Sequence, residues 1–197
     1  MKNDLSNIKI EKRCLKFNSS NFIPLCICYC TQKFILYGQS NGILRIYNNE
    51  IKKENFVKLH EAGINEIKTS PSISDSDTFL IFTCGEDCTL VISEFNITNN
   101  TLNIINKIKT LHFSAIKSID LLQNKNELII LTGGYDQIVN AIKYDKSNYT
   151  FKIIKTFHVC VSEINSLKGC ISLNEKKENI LYIAIGGLGI EFLKYKL

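Results

Sequence analysis

Short apolar runs, broken by glycine and polar turns, recur along the whole chain. Thr78 to Phe82, TFLIF, leads through Gly85-Glu86-Asp87-Cys88 into a second apolar run, Leu90 to Ile92. Two β-prone runs joined by turn residues predict a β-hairpin. The layout repeats in LIILTGGYDQIVNAI, Leu128 to Ile142, with Asp136 in the place of Asp87. It repeats in FILYGQSNGILRIY, Phe34 to Tyr47, with Asn41 there, and in YIAIGGLGIEF, Tyr182 to Phe192, which lacks the acid. Four copies of one hairpin at a regular period predict a repeat protein.

Around each hairpin the flanking pattern also repeats. Ile8 to Phe17 reads as a lone N-terminal strand and Asn18 to Asn21 as a turn, so 1–21 stands apart. The successive units are 22–60, 61–112, 113–158 and 159–197. Each opens on a short strand (Phe22 to Cys30, EAGINEIKTS, AIKSIDLL, SEINSL) and continues into the hairpin. The first three then close on a strand that alternates with Lys and Asn; the fourth stops at Leu197 without one. Gly38, Gly85 and Gly134 lie 47 and 49 residues apart, close to the period of a four-stranded propeller blade with the excess in loops. The second strand of every unit (FILY, FLIF, LIIL, LYIAI) is apolar throughout, as strands covered on both faces are. The closing strands read as outer edges exposed on one face. No segment carries a capped helical period, and the expected fold class is all-β.

Composition narrows the class further. The chain has 197 residues, 45% of them apolar and 22% charged, which suits one globular domain with a real core. The net charge of +5 is nearly all Lys, with Arg only at Arg13 and Arg45; Arg is the residue favoured for bidentate phosphate and base contacts. Direct nucleic-acid binding is therefore weakly signalled, and Lys107, Lys109, Lys152 and Lys155 read as a solvated face. The N-terminus lacks the apolar core of a signal peptide, and the longest apolar run, interrupted by Pro24, is far short of the ~20 residues of a membrane helix. Eight cysteines without a secretion signal predict reduced thiols and a cytoplasmic location.

The candidate chemistry lies in three histidines and two turn acids. His60, His112 and His158 each follow a closing strand, and Asp87 and Asp136 lie 27 and 24 residues beyond the first two. The pairs His60–Asp87 and His112–Asp136 are expected to be structural hydrogen bonds, one per unit, rather than a shared metal or catalytic site. Cys26, Cys28 and Cys30 fall on one face of a strand. Zinc motifs place two or more residues between ligands so that the chain can turn round the ion, so these read as small core residues. Gly186-Gly187-Leu188-Gly189 is the fourth hairpin turn, not a dinucleotide loop, because no helix follows. No enzyme signature appears, and no cofactor, metal or catalytic residue is expected.

The His that opens each repeat and the Asp in its hairpin turn resemble the WD-repeat family, although the terminal Trp-Asp pair is degenerate. Tyr47-Asn48 is nearest to it, and the chain has no Trp. That resemblance implies a β-propeller of about four blades, an incomplete ring or the C-terminal portion of a larger propeller. LHEAGINEIKTS, LIFTCGEDCTLVISEF, VSEINSL and the terminal IAIGGLGIEFLKY resemble more narrowly the WD-repeat partner subunits of the eukaryotic tRNA 2′-O-ribose methyltransferase of the anticodon wobble position. The narrower resemblance implies a non-catalytic scaffold bound to a methyltransferase subunit, with tRNA contact at most indirect and no small-molecule substrate. The alternative is a general WD-repeat interaction module in another intracellular complex. Incomplete blade faces imply a partner or further sequence upstream.

Overall fold

The computed structural model describes residues 22–71, 77–124 and 127–197. The strand expected over Ile8 to Phe17 and the turn after it lie outside the described residues. Every element within them is a strand, and they form four antiparallel sheets. The first sheet holds β1 (Pro24–Tyr29), β2 (Phe34–Gln39), β3 (Ile43–Asn48) and β4 (Lys53–Lys58) in sequence order. The second holds β5 (Ile64–Pro71), β6 (Thr78–Gly85), β7 (Leu90–Asn96) and β8 (Thr101–Ile108) in the same order. The third repeats it with β9 (Ile116–Asn124), β10 (Glu127–Gly134), β11 (Ile138–Asp145) and β12 (Thr150–His158). The fourth holds β13 (Ser162–Leu173) and β14 (Asn179–Lys196).

β14 is a hairpin rather than one extended strand. Eighteen residues would span about 60 Å if extended, yet the Leu197 N–H donates to the Asn179 carbonyl at 3.0 Å. The Lys194 ammonium also stands 5.7 Å from the Tyr182 ring centre, and Lys196 pairs with Glu178. The chain reverses near Gly189, whose φ of 127° is open to glycine and strained for other residues. Among the described residues the fourth sheet therefore has three arms and no counterpart of the others' outer strand.

The sheets stack in chain order, with β1 against β5, β5 against β9 and β9 against β13. Each sheet has a leading face, toward the next sheet, and a trailing face toward the previous one. Three apolar layers fill the gaps. Leu36, Leu44 and Ile46 meet Ile81, Val91 and Phe95; Phe82, Leu90 and Ile92 meet Ile130, Ile142 and Tyr144; Leu131, Val139 and Ala141 meet Leu181, Ile183 and Ile185. An edge-to-face aromatic pair sits in each gap: Phe34–Phe95 at 5.1 Å, Phe82–Tyr144 at 5.8 Å and Phe157–Tyr195 at 5.6 Å. Such geometry adds about 0.5–1.5 kcal/mol per pair beyond area burial.

Polar side chains on the inner strands tie successive sheets. Glu66 Oε2 accepts from the Ser118 hydroxyl at 2.9 Å and the Ile119 N–H at 2.5 Å. Asp120 accepts from Lys168 at 2.5 Å and from the Gly169 N–H at 2.9 Å. β2, β6 and β10 are almost wholly buried, as their unbroken apolar runs predict. In the fourth copy Ile180, Leu181, Ile183 and Ile185 are buried, while Tyr182 among them is exposed. No sheet among the described residues covers that other face. β4 and β12 are exposed along most of their length, and stacked antiparallel sheets of this kind are consistent with a β-propeller-like arrangement.

Candidate functional site

The polar residues singled out by the repeat converge at the turns of the second and third sheets. β6 and β7 pair outward from Cys84↔Leu90, and β10 and β11 from Gly133↔Val139. Each pairing leaves a five-residue turn with the acid at its centre. In the second sheet the His60 ring is fully buried, with Nδ1 2.9 Å from Asp87 Oδ1 and Nε2 2.8 Å from Thr83 Oγ1. Asp87 Oδ2 also accepts the Glu61 N–H at 2.9 Å, and Oδ1 the Thr89 N–H at 3.2 Å. The third sheet repeats the set: His112 Nδ1 is 3.0 Å from Asp136 Oδ1 and Nε2 is 2.9 Å from Thr132 Oγ1. Asp136 accepts from the Phe113 and Ile138 N–H groups at 2.9 and 3.2 Å.

The network assigns the imidazole tautomer. A carboxylate can only accept, so Nδ1 carries the proton; Nε2 is then an acceptor for the threonine hydroxyl. Burial pushes the His112 pKa below its ordinary value, outweighing the opposing pull of Asp136, so the ring is neutral at neutral pH. Burial opposes ionisation of Asp87 too, but the His60 bond, the Glu61 and Thr89 amides and the His60 charge together hold its carboxyl down to about 2. Each lock thus joins a turn acid, a buried imidazole and a strand hydroxyl. The third sheet adds Asn140, whose side-chain N–H donates to the Leu111 carbonyl at 2.8 Å while Oδ1 accepts from Thr156 at 2.7 Å.

An acid–imidazole–hydroxyl relay has the connectivity of a nucleophilic triad. Here the hydroxyls of Thr83 and Thr132 belong to fully buried residues, and a nucleophile must reach substrate to act. Their burial keeps these hydroxyls from substrate, and each arrangement fixes a turn.

His158 joins no acid among the described residues. Ile138↔His158 occupies the same rung as Ile43↔Lys58, so His158 corresponds to exposed Lys58 and not to His60. Buried Val159 follows it as Leu59 precedes His60 and Leu111 precedes His112. Cys160 takes the histidine's place, its N–H donating to Glu191 Oε2 at 2.8 Å. The sequence carried the signal: His60 and His112 precede Ile64 and Ile116 by four residues, whereas His158 precedes Ile164 by six. Leu167↔Ile185 occupies the rung of Ile67↔Thr83 and Ile119↔Thr132, so the hydroxyl is lost as well. The fourth sheet has none of the three polar members.

The residue after Asn41, Asp87 and Asp136 uses left-handed backbone, at Gly42 (φ 80°), Cys88 (φ 61°) and Gln137 (φ 60°). Gly42 is required twice over, because a Cβ there would lie 2.0 Å from the His60 carbonyl oxygen. The strand cysteines face the second sheet: Cys26 Sγ donates to the Ile64 carbonyl at 3.3 Å and Cys28 Sγ lies 4.0 Å from Thr69 Oγ1. Burial raises the thiols of Cys26 and Cys30 to about 12 and that of Cys28 in the same direction, which disfavours the thiolate a metal needs. Cys84 is buried and Cys88 bonds the Glu86 carbonyl, both as free thiols. No family model matches this chain, and no curated protein matches it in sequence.

Proposed function

We propose that the chain is a WD-repeat propeller segment of about four blades that serves as a non-catalytic scaffold. Its most specific assignment is the partner subunit of a tRNA 2′-O-ribose methyltransferase acting at the anticodon wobble nucleotide in the cytoplasm. One observation supports the WD-type reading most directly: the buried His–Asp–Thr lock recurs at the same place in two successive sheets. A locked turn supports binding rather than chemistry, because the histidine–acid pairs among the described residues are held in turns. The methyltransferase assignment rests on the segment resemblance, above all the terminal IAIGGLGIEFLKY.

The test is genetic and biochemical together. The tagged protein is expected to co-purify with a methyltransferase subunit, and removal of the gene to abolish ribose methylation at the wobble position. Intact methylation after removal overturns the methyltransferase assignment, and the protein then belongs with general interaction propellers.

A further inference from the structure

The only buried lysine among the described residues lies between the second and third sheets and meets no carboxylate there. Lys146 follows β11, at the end of the third sheet remote from its lock, and is 8% exposed. Its ammonium donates to the Ser70 hydroxyl at 2.7 Å, the Pro71 carbonyl at 3.0 Å and Gln123 Oε1 at 3.2 Å. All three acceptors are neutral. Lys33, Lys68, Lys117, Lys143, Lys168 and Lys196 each pair with a carboxylate, although all six are more open to water. Burial pushes the Lys146 pKa below its ordinary value.

The fold does not demand a charge at this position. Asn48↔Lys53, Asn96↔Thr101 and Asp145↔Thr150 occupy one rung in the first three sheets, so Lys146 corresponds to Asn49 and Ile97. Ile97 packs against the apolar layer between the first and second sheets. An aliphatic side chain therefore suffices in the second sheet where the third buries an ammonium. Taking an ammonium out of water costs several kcal/mol unless an opposite charge compensates it. The ammonium also stands in the wall of a cavity. Its three partners, with Thr69, Leu121 and Leu128, line a space of about 450 Å³ between the second and third sheets, within the size range of small-ligand sites. Gln123 is exposed, makes the longest of the three bonds and shares its rung with Leu128.

We propose that this cavity binds a small monocarboxylate, its oxygens on the Lys146 ammonium and the Ser70 hydroxyl and its aliphatic or aromatic tail against Leu121, Leu128 and Pro71. One carboxylate oxygen takes the place of Gln123 Oε1, so a bond to a neutral acceptor becomes a charge-assisted one, roughly twice as strong. The ligand supplies the counter-charge missing from this gap and ties the second sheet to the third. Both sheets have neighbours within the chain, so the site does not depend on either end of the stack. It is also independent of the methyltransferase assignment.

Isothermal titration calorimetry of the purified chain with sodium butyrate and sodium benzoate, at constant ionic strength, tests it. Saturable binding at one site is expected for at least one of the two acids, with a Kd of about 1 mM or tighter. Butyramide and benzamide match the acids in shape but carry no charge, and neither should bind. Lys146→Met puts an apolar side chain where Ile97 stands in the second sheet, so the variant should keep cooperative melting. It should weaken carboxylate binding at least about 10-fold. The comparison of acids with amides uses the parent chain alone, and it decides the matter even where the variant fails to fold. No saturable binding of either acid overturns the proposal, as does equal binding of the amides. An affinity unchanged by Lys146→Met also overturns it, and Lys146 is then a strut between two sheets.

Discussion

The third and fourth sheets show what a repeat needs and what it can lose. Both carry an apolar second strand, a hairpin and a trailing face that seals against the sheet before it. The third turn has five residues centred on Asp136, held by His112 and Thr132. The fourth turn is tighter, reverses near Gly189, and has Cys160 and Ile185 where the histidine and threonine stand. The polar members disappear together because each is costly without the others. A buried imidazole without its carboxylate, or a buried hydroxyl without its imidazole, leaves an unsatisfied group worth about 1–3 kcal/mol. The lock is all or nothing, whereas the apolar sandwich beneath it tolerates either state.

The largest test of this contrast is His112→Ala. It removes the partner of Asp136 and of Thr132 in a buried site and should cost about 3 kcal/mol. For a chain of this size that lowers Tm by roughly 10 °C, read by calorimetry. A shift under a third of that would mean the lock is dispensable in the third sheet too.

Acid should reach the locked sheets in two steps. The His112 pKa is lower folded than unfolded, so the unfolded chain takes up the proton first and stability is lost as pH falls below about 6.5. Asp87, held down to about 2, stabilises above the ordinary carboxylate range, and that contribution is lost as pH falls from about 4 toward 2. Urea midpoints measured against pH should show both steps. Asp87→Asn should flatten the lower one, and an unchanged lower slope would place it elsewhere.

A smaller effect of opposite sign is expected from Gln137→Gly. Gln137 adopts φ 60° next to the acid, a conformation costing about 1 kcal/mol for a side chain with a Cβ, which glycine relieves. A rise in the urea midpoint is expected, and a fall would mean the glutamine side chain contributes more than its backbone costs. Cys160→Ala, at the unlocked counterpart of His112, should change stability by no more than about 0.5 kcal/mol. A loss approaching that of His112→Ala would erase the distinction between the sheets.

Much of this was legible along the chain. Period-two and fully apolar runs located the hairpins and the closing strands, because a pleated strand must alternate where one face is wet and need not where both are covered. The pairs His60–Asp87 and His112–Asp136 were readable from recurrence. His158 was misleading because position after a closing strand is a weaker constraint than distance to the next buried residue. β12 continues to His158 and keeps it on an exposed rung. The roles of Thr83 and Thr132 are not legible in the sequence, since nothing in a strand's pattern marks which hydroxyl will face a neighbouring turn.

The sequence by itself determined the all-β class, the repeat, the hairpin positions and the loss of the acid in the last copy. These follow from local backbone preference and from which faces are apolar. Only the tertiary structure decided which side chains complete each lock, that Cys160 replaces a histidine, and that Ile190 and Phe192 stand uncovered. Those facts depend on how rungs from distant segments align. Register across a turn and the presence of a facing sheet are properties of the assembled stack, not of any one strand.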